Sequence, residues 1–170
     1  LVAWLLPPMS QPQSYHDFAD QRTLWGVPHA LNVLSNVPFV LVGIVGLLSL
    51  AATIRFQSRA LEARAPWFVL FAGVTLPGFG SAYYHLDPND TTLVWDRLPM
   101  ALGFAGLVAG TLADRALRLT WLLLAVLVGV GTGVVVYWAV RGNLAPYIVM
   151  QAGFIVVAIA ATALIRSPYS

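Results

Sequence analysis

Five long apolar runs, parted by short polar breaks, decide most of what this chain can become. They cover about residues 29–56, 65–85, 92–112, 119–140 and 145–165. Crossing a bilayer takes roughly 20 apolar residues as a helix, and each run supplies about that number. Within hydrocarbon only helices and closed barrels satisfy every backbone group. The runs are continuously apolar rather than alternating, which excludes a barrel. The expectation is an all-α membrane protein, a helical bundle with five transmembrane helices. Composition agrees: the chain is 59% hydrophobic and 9% charged, against about 25% charged residues in a soluble domain. Gly43, Gly46, Gly129, Gly131 and Gly133 suit close helix packing.

The remaining segments are read from their flanks. Leu1 to Leu6 is apolar and stops at Pro7-Pro8; it reads as the tail of a further span or signal sequence, or as a disordered end. Residues 9–28 form an extramembrane loop or short interfacial helix, so 1–28 stands apart from the bundle at 29–166, and 167–170 reads as a cytoplasmic tail leading into another span. All nine basic residues are arginines. Arg55, Arg59, Arg64, Arg115, Arg118 and Arg166 fall on one side of the bundle, leaving Arg22 and Arg141 in the loops of the other. The positive-inside rule puts the arginine-rich loops in the cytoplasm and the loop 9–28 in the periplasm or lumen. A net charge of +2 with no basic stripe excludes nucleic acid as a partner. Cysteine is absent, which excludes disulfides and thiolate metal sites.

Chemistry concentrates between Gly80 and Pro99, GSAYYHLDPNDTTLVWDRLP. Ser81 and His85 are four residues apart and share a helix face. Asp96 follows across Asp87-Pro88-Asn89-Asp90, a turn by its residue chemistry. One helix ending near His85 and the next beginning near Thr92 would bring Ser81, His85 and Asp96 together. Each has a plainer reading: a hydrogen-bonded histidine at a span end, a serine bonding its own backbone, an Asp96–Arg97 ion pair. Ionisable groups within a span are costly unless paired or used, which favours function.

The pattern Ser81-x-x-x-His85, then Asp96-Arg97-Leu98-Pro99, with Asn32-x-x-Ser35-Asn36 in the first span, resembles the alkaline ceramidases and the seven-helix membrane hydrolases that include the adiponectin receptors. The resemblance spans about residues 15–165 and would cover five of seven helices. It implies a zinc-dependent amidase that draws a ceramide-like N-acyl amide from the bilayer and yields a fatty acid and a sphingoid base. By resemblance His85 is a zinc ligand, Asp96 orients or deprotonates the zinc-bound water, and Ser81 helps stabilise the oxyanion. Such chemistry suits a metal that lowers the pKa of water to about 7 and a carboxylate that shuttles the proton.

The family's H-x-x-x-H pair does not occur in the chain, whose histidines are His16, His29 and His85. The remaining zinc ligands are expected on helices beyond this segment, with His16 and His29 as conceivable substitutes. Calcium is not expected, because Asp17 and Asp20 read as solvated or helix-capping carboxylates and their neighbours lack hard oxygen ligands. Two other classes compete. One is a non-catalytic membrane subunit or pseudoenzyme packing against partner subunits. The other is a transporter or proton path through Asp96 and His85, with a second helix broken at Pro77-Gly78.

Overall fold

The computed structural model describes residues 6–54, 61–115 and 120–166. After a single 3-10 turn at Gln13–His16, six α-helices follow: α1 Ala30–Leu34, α2 Val37–Ile54, α3 Leu61–Leu86, α4 Asp90–Ala113, α5 Thr120–Arg141 and α6 Ala145–Leu164. No strand occurs among the described residues. Among the described residues, five stretches are long and apolar enough to cross a membrane: Ala30–Ala52, Arg64–Leu86, Asp90–Ala113, Thr120–Arg141 and Ala145–Leu164. Large apolar side chains lie on the outside, among them Leu41, Val45, Leu48, Val126, Val156 and Ile159. That inversion suits lipid as solvent.

Helix α4 is the axis of the bundle, packed against α3, α5 and α6, while α2 lies outside against α3. Its sequence explains the position. Leu93, Ala101, Ala105 and Ala109 recur at multiples of four along one face and are wholly buried. The small residues let neighbours come close without large side chains between them. The α4 start is set by Asn89, whose side chain accepts from the Thr91 and Thr92 backbone N–H groups while the Thr92 hydroxyl accepts from the Asn89 N–H. This capping box starts α4 at Asp90, two residues before the expected Thr92.

Helices α3 and α4 meet most closely. A Cβ on Gly73 would strike the Gly103 backbone, and one on Gly80 would strike the Trp95 carbonyl. A Cβ on Gly103 would lie 3.0 Å from the Gly73 oxygen. Proline explains two of these carbonyls. Pro77 and Pro99 sit inside α3 and α4 and lack the N–H that would bond the carbonyl four residues earlier, namely Gly73 and Trp95. Each freed carbonyl faces a glycine on the opposite helix, the setting for Cα–H···O contacts.

Three expectations need correction. The first span is not one helix: it is interrupted at Ser35-Asn36. The Ser35 hydroxyl and the Asn36 amide both donate to the Asn32 carbonyl, at 2.7 and 2.9 Å, and Pro38 withholds an N–H from the next turn. Conversely, α3 runs unbroken through Pro77-Gly78. Finally, Gly43 and Gly46 do pack tightly, against Thr75 and Phe71, and Gly131 against Ala101, but Gly129 and Gly133 face open space. The closest contact, between α3 and α4, is made by other glycines, Gly73, Gly80, Gly103 and Gly106. The positions expected at Leu1–Leu5 and at Arg55, Arg59 and Arg118 lie outside the described residues, as do 167–170.

Candidate functional site

The last turns of α3 carry Ser81, Tyr84 and His85, and the first turns of α4 carry Asp96 and Arg97. The loop before α1 folds across these helix ends and ties itself to them and to the α5–α6 connection. The Met9 N–H donates to Asn143 Oδ1 at 3.0 Å, and the Leu144 N–H donates to the Met9 carbonyl at 2.7 Å. His16 bridges α3 and α4: Nε2 lies 3.0 Å from Asp90 Oδ1 and Nδ1 2.9 Å from the Tyr84 hydroxyl. Because a carboxylate only accepts, Nε2 carries the proton, and in the neutral ring Nδ1 accepts from Tyr84.

Asp20 is the loop's own anchor. Its Oδ1 accepts from Arg22 Nε at 2.8 Å and its Oδ2 from the Leu31 N–H at 2.9 Å, in the first turn of α1. The Arg22 side chain holds its carboxyl below the ordinary value of 3.8; burial opposes the shift and the two backbone N–H bonds assist it. It is a capping carboxylate, with both oxygens engaged. Asp17 is exposed. His29 enters α1 through left-handed backbone, φ 47°, and its Nδ1 lies 2.7 Å from the Asp20 carbonyl, to which it donates.

Ser81 and Asp96 are brought together. The glycine contact of Gly80 on the Trp95 backbone closes α3 onto α4 at this level, which sets the Ser81 side chain near the Asp96 carboxyl. Both line a cavity of about 390 Å³ whose other walls include Asn36, Phe39, Val74 and Phe104. Asn36 comes from the break between α1 and α2, so the helix interruption delivers a buried carboxamide to the same space. The cavity is mostly apolar, with Asn36, Ser81 and Asp96 as its polar walls, the usual make-up of a small-molecule site.

His85 is placed differently. It is absent from that cavity's lining and packs edge-on against Phe18, ring centres 4.7 Å apart, and beside Tyr84 at 5.3 Å. Its Nδ1 is buried and has no hydrogen-bond partner among the described residues, so it could serve as one metal ligand. His29 packs on Phe18 as well, at 5.2 Å. As for zinc, no group of three His, Cys, Asp or Glu side chains that could hold a metal occurs among the described residues. His16 is an unsuitable substitute, since both of its nitrogens are engaged. The described residues by themselves do not make a zinc centre.

Asp96 and Arg97 do not pair. Arg97 is directed the other way and donates from one terminal nitrogen to Gln11 Oε1 at 2.6 Å. Its guanidinium lies 4.2 Å from the Trp138 ring centre, 5.0 Å from Tyr147 and 5.8 Å from Tyr15. Successive helix residues diverge by about 100°, which an adjacent-residue ion pair ignores. Gln11, Phe18 and Tyr84 carried no signal in the sequence, because their partners are remote in the chain. Arg97 did: a cation inside an apolar run asks for a partner.

Set beside protein-family models, curated proteins and solved structures, the chain matches none of them.

Proposed function

We propose that the chain is a multi-pass membrane hydrolase of the alkaline ceramidase type, cleaving a long-chain N-acyl amide into a fatty acid and an amine of the sphingoid-base class. The observation that carries the reading is the mostly apolar cavity between helices that has Ser81, Asp96 and Asn36 in its wall. An acyl chain entering from the bilayer fills the apolar part, and the amide lies at the polar group. Asp96 takes a proton from the attacking water and returns it to the leaving nitrogen. Ser81, beside that carboxylate, polarises the amide oxygen. Zinc, which the resemblance implies, supplies a Lewis acid when bound; His85 would be one ligand and the others would come from outside the described residues. The arginine-rich loops lie in the cytoplasm in this reading, and the Ser81–Asp96 end faces the periplasm or lumen.

The test is release of fluorescent fatty acid from an N-acyl sphingosine by the purified full chain in detergent, with metal content measured in parallel. Asp96→Asn is expected to lower turnover by about 10²–10⁴-fold with metal content unchanged, and His85→Ala to lose bound zinc. Unchanged turnover in the Asp96 variant overturns the assignment. A second reading, a non-catalytic membrane subunit or pseudoenzyme, is favoured by the lack of a three-donor group among the described residues. Wild-type protein that neither cleaves amide nor retains zinc decides for it.

A further inference from the structure

Asp96 also lines a second, smaller cavity of about 230 Å³, together with Tyr15, Arg97, Tyr147 and Gln151 among others. Its notable wall is Arg97. The residue is 6% exposed, yet among the described residues it has no carboxylate partner, and its second terminal nitrogen is buried with no hydrogen bond. The aromatic rings of Trp138, Tyr147 and Tyr15 stabilise the cation through their faces. Faces do not satisfy N–H donors, and a buried donor left unpaired is costly. A guanidinium at the wall of a cavity, with one edge on Gln11 and a buried donor left unpaired, is half of a charge-assisted pair.

We infer that this cavity is an oxyanion site, in which Arg97 receives a carboxylate or phosphodiester group carrying one negative charge. Tyr147 and Gln151 line the same space and offer further donors. Asp96 shares the wall, which favours a ligand with a single charge over one with two. The volume suits a headgroup or the polar end of an amphiphile rather than a whole acyl chain. The inference stands independently of amide hydrolysis, because it rests on Arg97 and not on the Ser81–Asp96 pair.

The experiment is equilibrium binding of radiolabelled octanoate and of inorganic phosphate to the full chain in uncharged detergent. Retention of phosphatidylglycerol against phosphatidylcholine through purification is measured alongside. The expected result is saturable binding of a singly charged probe, weakened about tenfold or more by Arg97→Gln and about three- to tenfold by Tyr147→Phe. Arg166→Gln, at an exposed arginine beyond the end of α6, is expected to bind as the wild type does. Binding of octanoate assigns a free carboxylate, and selective retention of phosphatidylglycerol assigns a lipid headgroup; either supports the site. Absence of saturable binding for every probe, or equal binding by Arg97→Gln, overturns it. If Arg97→Gln elutes as aggregate, Tyr147→Phe and Gln151→Leu decide: binding unchanged in both removes the site.

Discussion

At the scale of single residues, the loop across the helix ends is held by few polar contacts, and Asp20 is the most engaged of them. It accepts from Arg22 and from the first turn of α1 while sitting nearly out of solvent. Its carboxyl titrates below 3.8 in the fold. A depressed carboxyl contributes stability above its unfolded value and loses it as pH falls through the folded value. Acidification below the ordinary carboxylate range is therefore expected to loosen residues 9–29 before the helices. Amide exchange followed against pH checks this, and Asp20→Asn is expected to exchange faster at neutral pH with the acid dependence gone. An exchange rate in the loop that ignores both changes assigns the anchoring to His16 and Gln11 instead.

Between elements, the contact that places Ser81 beside Asp96 is made by backbones. Gly80 against the Trp95 carbonyl and Gly73 against Gly103 leave no room for a side chain, whereas Gly129 has none of these neighbours. Gly80→Val is expected to destabilise by about 1–3 kcal/mol, the usual cost of overpacking, and to separate Ser81 from Asp96. Gly129→Ala is expected to be neutral or slightly stabilising, because a helical glycine loses backbone entropy with nothing gained in packing. Thermal unfolding in detergent compares the two. Similar shifts for both would mean that α3 and α4 do not meet through their glycines.

At the scale of the whole molecule, the absence of native cysteine makes orientation directly measurable. Single cysteines at Gln13 and at Ser58 are expected to label oppositely with a membrane-impermeant maleimide on intact cells, Gln13 reacting and Ser58 protected. The reverse pattern would turn the proposed site towards the cytoplasm. Labelling of both would argue against a bundle that crosses the membrane an odd number of times between them.

How far the fold was legible follows from what kind of interaction set each part. The five apolar runs, their helical state and the Asp87–Asn89 turn were open to a reader of the chain, since length, hydropathy and capping act within a few residues of one another. The four-residue step from Ser81 to His85 was equally local. What it did not reveal is that the two side chains part company, Ser81 towards Asp96 and a mostly apolar cavity, His85 towards Phe18. Nor did adjacency reveal that Arg97 turns from Asp96 to Gln11, 86 positions away in sequence. The break at Ser35-Asn36 lay between these cases: its residues were visible, but its use, to bring Asn36 into the cavity, was not. The sequence by itself determined that this protein is a bundle of apolar helices with a polar cluster at one end, because solvation and backbone bonding demand it. Only the tertiary structure decided which polar groups meet, because that depends on glycine-to-carbonyl contacts and a folded-over loop whose partners no local pattern encodes.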